Sequence, residues 1–163
     1  MTDEITVQIG TPEDLDQLMA LAFSACEENG FLPPNQHKIL QEIWSALNQH
    51  YGLIGVIKNE TGLIEGAILM RIGDMWYSDQ MVLEERGIFI HPDYRSAKGG
   101  RAKKLCEFAK QVSENINVPL VIGILSNSRT EAKVRLYKRQ FGEPTGAFFL
   151  YGARTGEAHV TEH

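Results

Sequence analysis

The stretch from Met81 to Leu125 most narrows the folds open to this chain of 163 residues. Met81 to Ile90 (MVLEERGIFI) reads as one long strand, broken only by Gly87, which signals a bulge or a close backbone approach. A loop with two adjacent glycines follows. Then comes a helix with Ala102, Leu105, Cys106, Ala109 and Val112 on one face. Pro119 to Leu125 (PLVIGIL) is a continuous apolar run, the pattern of a parallel strand covered on both sides. Strand, loop, helix and strand in that order make a βαβ crossover, so one strand pair must be parallel.

The remaining elements surround that unit. Ile5 to Ile9 reads as a short strand. Thr11-Pro12-Glu13-Asp14 is a helix start, with Thr11 as N-cap and Pro12 at the first helical position. Leu15, Leu18, Met19 and Ala22 recur at helical spacing after it. Pro33-Pro34 ends that helix, and a second is expected over His37 to Asn48, with Leu40, Ile43, Trp44 and Leu47 on one face. Gly52 to Lys58 and Leu63 to Ile72 read as strands joined by an Asn59-Glu60-Thr61-Gly62 turn. Arg129 to Phe141 reads as a helix and Gly146 to Tyr151 as a late strand. The order is βααβββαβαβ: an α+β domain with a mixed, mostly antiparallel sheet. One domain over 1–152 with a flexible tail over 153–163 is expected.

Charge is unevenly placed. Net charge is −5, which argues against nucleic-acid binding in bulk. Up to His37 there are seven acids and no Lys or Arg; from Arg95 to Lys110 there are six cations and one acid, Glu107. No apolar run approaches a membrane span, and Asp3 and Glu4 after Met1 do not resemble a signal peptide. Cys26 and Cys106 read as buried thiols, so a cytoplasmic setting is expected. The histidines do not cluster at metal-ligand spacing, so no metal is expected.

The loop from Arg95 to Ala102, RSAKGGRA, ends at a helix start. Backbone N–H groups there are unpaired and the helix dipole adds partial positive charge. Glycines let those amides approach an anion, with Arg95, Lys98 and Arg101 as added cations. A phosphate or pyrophosphate is the expected guest. The loop matches neither G-x-x-x-x-G-K-[ST] nor G-x-G-x-x-G.

Strand, His91-Pro92-Asp93-Tyr94-Arg95, glycine loop and helix resemble motif A of the GNAT superfamily of acetyl-CoA-dependent N-acetyltransferases. In that family's Arg/Gln-x-x-Gly-x-Gly/Ala loop, Arg95 matches the first position and Gly100 the last. Lys98 stands where the first glycine is usual, and Gly99 is shifted by one. Ala132 to Phe141 resembles the family's late helix with its Leu-Tyr-x-x-x-Gly-Phe ending, here with Phe141 before Gly142. The similarity of element order runs from Ile5 to Tyr151. It implies a three-layer fold with helices on both faces of the sheet around a central crossover.

The resemblance also implies a chemistry and a site. Acetyl-CoA would be held by Arg95, Ser96, Ala97, Lys98, Gly99, Gly100, Arg101 and Ala102, and its pantetheine arm by backbone groups of Ile88, Phe89 and Ile90. Asn127 is expected to contact the arm or to serve a turn. Tyr137 is expected near the sulfur as general acid, or as packing with Val134 and Phe141. Transfer to an amine needs a neutral nucleophile, and a lysine-like amine has a pKa near ~10.4. Glu84 or Glu85 is expected as base; strand alternation admits only one, and a bulge would exchange them. Alternatively both are edge charges or partners of Arg86. The acidic first third, through Asp14, Glu27 and Glu28, suits a cationic acceptor: a protein lysine or N-terminus, or a small amine. Trp44 and Phe31 would line that site or pack. The rival expectations are a catalytically silent GNAT-like domain that senses CoA or binds protein, and a nucleic-acid module. A homodimer is a further expectation.

Overall fold

The computed structural model describes residues 4–95, 99–125 and 130–153. Five strands lie side by side in chain order: β1 (Gln8–Ile9), β2 (Gly52–Lys58), β3 (Ile64–Asp74), β4 (Met81–Ile90) and β5 (Leu120–Val121). The first four are antiparallel, and β4 and β5 are parallel. The helices are α1 (Leu15–Asn29), α2 (Gln36–Leu47), α3 (Arg101–Ile116) and α4 (Thr130–Phe141).

Strand alternation divides the core between two faces. Leu18 and Ala22 of α1 and Ile43 and Leu47 of α2 pack on Val56, Ala67 and Leu69. On the opposite face Leu105 and Ala109 of α3 pack on Ile57, Ile68, Met70 and Leu83. Burying each such side chain stabilises by roughly 1.5–3 kcal/mol. Helices therefore cover both faces, as in the expected three-layer arrangement.

Local signals account for the element ends. Asp14 accepts a hydrogen bond from the Thr11 N–H at 2.9 Å and closes the entry to α1. Gly30 ends α1 in the left-handed region (φ 68°), which glycine adopts without strain. Asn35 caps α2 by accepting from the Lys38 N–H at 3.0 Å. The Asn59 carboxamide accepts from the N–H groups of Thr61 and Leu63, fixing the β2–β3 hairpin.

Three expectations are corrected. The first strand is Gln8–Ile9 rather than Ile5 to Ile9; Ile5 and Val7 instead pack beneath α3. The PLVIGIL run yields a strand only at Leu120–Val121. It is not covered on both sides: Val121 and Leu125 are exposed, because the chain leaves β4 after Val121. Gly146 to Tyr151 forms no strand, and its side chains stand in solvent. The βαβ crossover joins β4 to β5, the last strand of the sheet among the described residues. Of the expected tail, all but Ala153 lies outside the described residues.

Candidate active site at the β4–β5 margin

The site begins with a bulge in β4. Leu69 pairs with Gly87 and Met70 with Glu85, so Arg86 is the extra residue. A Cβ on Gly87 would collide with the Phe89 ring, so only glycine fits there. Without the bulge, Leu83, Glu85, Gly87 and Phe89 would share a face. With it, Leu83 is followed by Glu85, then Ile88 and Ile90, on the α3 side, and Phe89 turns into the α1–α2 core.

The bulge also separates the two candidate carboxylates. Glu84 is half exposed and pairs with Arg86 at 3.2 Å; Arg86 in turn lies 3.8 Å from Glu42 of α2. Glu85 turns to the α3 side and accepts a hydrogen bond from the Gly123 N–H at 3.4 Å. Parallel pairing stops just before it, at Leu83–Leu120 and Glu84–Val121. The side chain thus takes the place of the next ladder bond, and the two strands part. Beyond that point the Leu125 carbonyl reaches Asn29 at the end of α1, at 3.5 Å. The edge of β4 from Arg86 to Ile90 that faces β5 is left without a strand partner among the described residues.

Three titratable groups meet behind this opening. Burial pushes the Glu85 carboxyl up to about 7, against the hydrogen bond from Gly123 that lowers it. Burial, with the charge of Glu85, pushes the Cys106 thiol up to about 12. Burial and then Glu85 also raise the Tyr137 phenol well above its ordinary value. Tyr137 is positioned by packing: its ring meets Phe141 edge to face at 5.7 Å. Lys110 of α3 lies over Phe141 and donates to the Gln140 carbonyl at 3.0 Å, docking α4 on α3.

The helix start below the opening is built differently from what the run of cations suggests. Gly100 is the N-cap of α3 in the left-handed region (φ 62°, ψ 53°), and the cap receives no side-chain hydrogen bond. The first turn carries no acid. Gly99 (φ 116°) lies against Ile5, where a Cβ has no room. Arg101 points inward: it pairs with Glu65 at 2.9 Å, both side chains about one-tenth exposed, and stacks on Tyr94 at 4.6 Å. Arg95 donates to the Ile90 carbonyl at 3.2 Å and to Glu28 at 2.8 Å. That bond holds the Glu28 carboxyl below its usual range. Both arginines therefore brace the loop through partners of this chain. Lys103 and Arg139, with Gly100, Ala102, Leu136 and Gln140, line a cavity of ≈ 430 Å³ between α3 and α4.

Ser96, Ala97, Lys98 and Asn127 lie outside the described residues. The other expected site residues divide as above: Glu85, the backbone of Ile88, Phe89 and Ile90, Tyr137, Gly100 and Ala102 border the opening or the cavity; the side chains of Glu84, Arg95 and Arg101 hold partners elsewhere, and Gly99 lies against Ile5. Of the expected acidic acceptor set, Asp14 is buried in a 2.7 Å pair with Lys58, Glu28 holds Arg95, and Glu27 is exposed. Sequence reading missed Gly123, Glu65, Lys103 and Arg139. Glu65 had a signal, as a lone acid in the apolar run of β3. Leu136, Arg139 and Gln140 had one in their helical spacing. Gly123 had none. Among the described residues no group of three His, Cys, Asp or Glu is placed to hold a metal ion, and no helix is long and apolar enough to cross a membrane.

By sequence the chain matches no family model and no curated protein. By structure it matches acetyltransferases over nearly its whole length. The aminoglycoside acetyltransferase AAC(6')-Iy, in complex with a CoA–acetylneamine bisubstrate analogue, superposes with a TM-score of 0.70 at 16% identity, covering 93% of this chain and 99% of that one. AAC(6')-Ih, an aminoglycoside 6'-N-acetyltransferase of Acinetobacter baumannii, superposes with a TM-score of 0.65 at 15% identity, over 93% and 99%. A GNAT family acetyltransferase of Staphylococcus aureus gives a TM-score of 0.61 at 16% identity, over 91% and 98%. The fold of this chain is the GNAT acetyltransferase fold.

Proposed function

We propose that the protein is an acetyl-CoA-dependent N-acetyltransferase that acetylates a primary amine by direct attack within a ternary complex. The observation that carries this reading is Glu85: a carboxyl pushed up to about 7, at the point where two parallel strands part, beside Tyr137. A carboxyl near neutrality is matched to taking a proton from an ammonium group at physiological pH. The AAC(6')-Iy complex with a CoA conjugate lends support through the shared fold.

The chain's own groups fit a phosphate-bearing acyl carrier. The open cap at Gly100, the acid-free first turn of α3, and Lys103 with Arg139 along the cavity suit an anion. The unpaired edge of β4 from Arg86 to Ile90 offers backbone donors and acceptors to an amide-containing arm. When bound, acetyl-CoA supplies an activated acetyl thioester. Glu85 accepts a proton from the acceptor ammonium, directly or through a water, and the freed nitrogen lone pair forms the new C–N bond. The carbonyl oxygen would gain charge as the C–N bond forms and give it up as the C–S bond breaks, and an N–H of the β4 edge would steady it; one such donor is worth roughly 10²–10³ in rate. Tyr137 donates a hydrogen bond to the departing sulfur. Its raised pKa keeps the phenol protonated, so it steadies the thiolate as a donor and passes its proton to sulfur late, while the second proton of the acceptor nitrogen, shed as the amide forms, restores the phenol.

The acceptor is a primary amine. The test is release of free thiol from acetyl-CoA over a panel of an aminoglycoside, a polyamine and a lysine peptide. Amine-dependent release that is lost in Glu85→Gln is expected. Thermal stabilisation by acetyl-CoA with no release across the panel would favour the silent CoA-binding reading instead, and neither effect would remove the cofactor.

A further inference from the structure

The α1–α2 face of the sheet carries a charged cluster that the reaction above leaves unused. Arg71 of β3 pairs with one oxygen of Glu42 at 3.3 Å, and Arg86 of β4 lies 3.8 Å from the other. Through the same Nε, Arg86 reaches Glu84 at 3.2 Å. The two terminal nitrogens of Arg86 meet no acceptor among the described residues. Arg71 likewise engages through one nitrogen alone. A guanidinium carries five N–H donors, so most of this pair's donors stay open to water or a ligand. Both side chains are nearly half exposed. Arg71 stands across from Glu84, whose other neighbour, Val121, is the last residue of β5. Arg86 is the bulge residue and follows Glu85 directly. The two guanidiniums therefore stand where β4 and β5 part, beside the candidate base.

We propose that Arg71 and Arg86 bind a carboxylate of the acceptor, so that the amine acetylated is that of a small amino acid. The inference rests on the acetyltransferase reading and names its substrate class. A guanidinium fork matches the two oxygens of a carboxylate, and two forks on one carboxylate fix its orientation. Glu42 shows that the two arginines can share a carboxylate, one on each oxygen. Glu42 and Glu84 thereby hold the arginines in place and leave the terminal donors of Arg86 for the ligand. An amino acid is zwitterionic at neutral pH, and its second charge has a place too. Glu85 faces α3, so the ammonium must pass between the strands to reach it, and the strands are parted just beyond Glu84–Val121. Adjacent Cα atoms lie about 3.8 Å apart, so a short carbon chain suffices to join a carboxylate at Arg86 to an amine at Glu85. A polyamine would instead press a second cation against two arginines. The acids expected to receive such a cation are partly taken, since Asp14 holds Lys58 and Glu28 holds Arg95.

Thiol release from acetyl-CoA over matched pairs of amines tests this. Glycine, β-alanine and 4-aminobutyrate are each set beside their carboxamides, which keep the amine and lose the negative charge. At least one amino acid is expected to exceed its carboxamide in kcat/KM by roughly 10–10²-fold, chiefly through KM. Arg86→Met and Arg71→Met should each cut that ratio by about 10-fold, with far-UV circular dichroism unchanged; either serves if the other folds poorly. A merely structural role would lower both members of a pair together and leave the ratio as it was. The inference is overturned, and the acetyltransferase reading kept, if other amines release thiol while no amino acid exceeds its carboxamide. A preference for the carboxylate that both variants leave unchanged overturns it as well. Release with no amine of any kind removes the activity and this inference together.

Discussion

β4 has two edges, and they differ. Toward β3 it pairs from Asp74–Met81 to Gly66–Ile90, interrupted only at the Arg86 bulge. Toward β5 it pairs at Leu83–Leu120 and Glu84–Val121 and then stops. The closed edge is built from buried aliphatics such as Ile68, Met70 and Leu83. The open edge carries a carboxyl held away from its ordinary pKa, exposed backbone, and the glycine-capped start of α3. One strand thus holds the fold together on one side and exposes its chemistry on the other. Unsatisfied backbone, costly in a core, is tolerated where it can serve a ligand.

The largest expected effect strikes the closed region. Glu65→Ala should leave Arg101 buried without its carboxylate and cost roughly 3–5 kcal/mol in a denaturant titration. A loss below ~1 kcal/mol would mean that the pair is not what anchors α3 to β3. On the open side, Glu85→Gln should lower kcat by about 10²–10⁴-fold with little change in KM for the amine. In wild type kcat/KM should rise with pH through about 7, as the carboxyl ionises, and that limb should vanish in the variant. Stability should move the opposite way. A carboxyl whose folded pKa is raised favours the native state below its unfolded value, near 4.5, and loses that advantage as pH rises to about 7. Glu85→Gln should therefore gain on wild type by roughly 3 kcal/mol between pH 4.5 and 8. A constant difference would break the contrast between the two edges.

Gly100→Glu places a carboxylate at the α3 cap, in a backbone region that favours glycine. Acetyl-CoA at ~100 times its Kd adds about 2.7 kcal/mol, and the variant should lose that Tm shift while still folding. Tyr137→Phe keeps the contact with Phe141 and removes the donor, so kcat should fall about 10–10²-fold with Tm nearly unchanged. Smallest of all, Glu84→Gln breaks a half-exposed pair with Arg86 and should alter stability by less than ~0.5 kcal/mol and kcat by less than about two-fold. Equal kinetic losses at Glu84 and Glu85 would erase the distinction that the bulge creates.

Some of this was legible beforehand for definite reasons. Gly87 in the β4 strand pointed to a bulge or a close approach, and the structure has both: the bulge at Arg86 and the Phe89 ring against Gly87. The crossover from Met81 onward followed from pattern, as did the glycine cap of α3 and the apolar face that buries Leu105, Cys106 and Ala109. The roles of the arginines were not legible. Arg101 and Arg95 look like phosphate ligands in a one-dimensional reading, but their partners Glu65 and Glu28 lie 36 and 67 residues away. No local rule links such positions.

The sequence by itself determined the four helices, the first four strands and the parallel crossover, because periodicity, caps and turns act within a few residues. Only the tertiary structure decided which of two adjacent glutamates reaches the opening. It alone showed that Arg95 and Arg101 are held by Glu28 and Glu65, and that the last apolar segment forms no strand among the described residues. Each of those outcomes depends on groups distant in sequence competing for the same hydrogen bond, charge or apolar face. That competition is settled only when the sheet assembles.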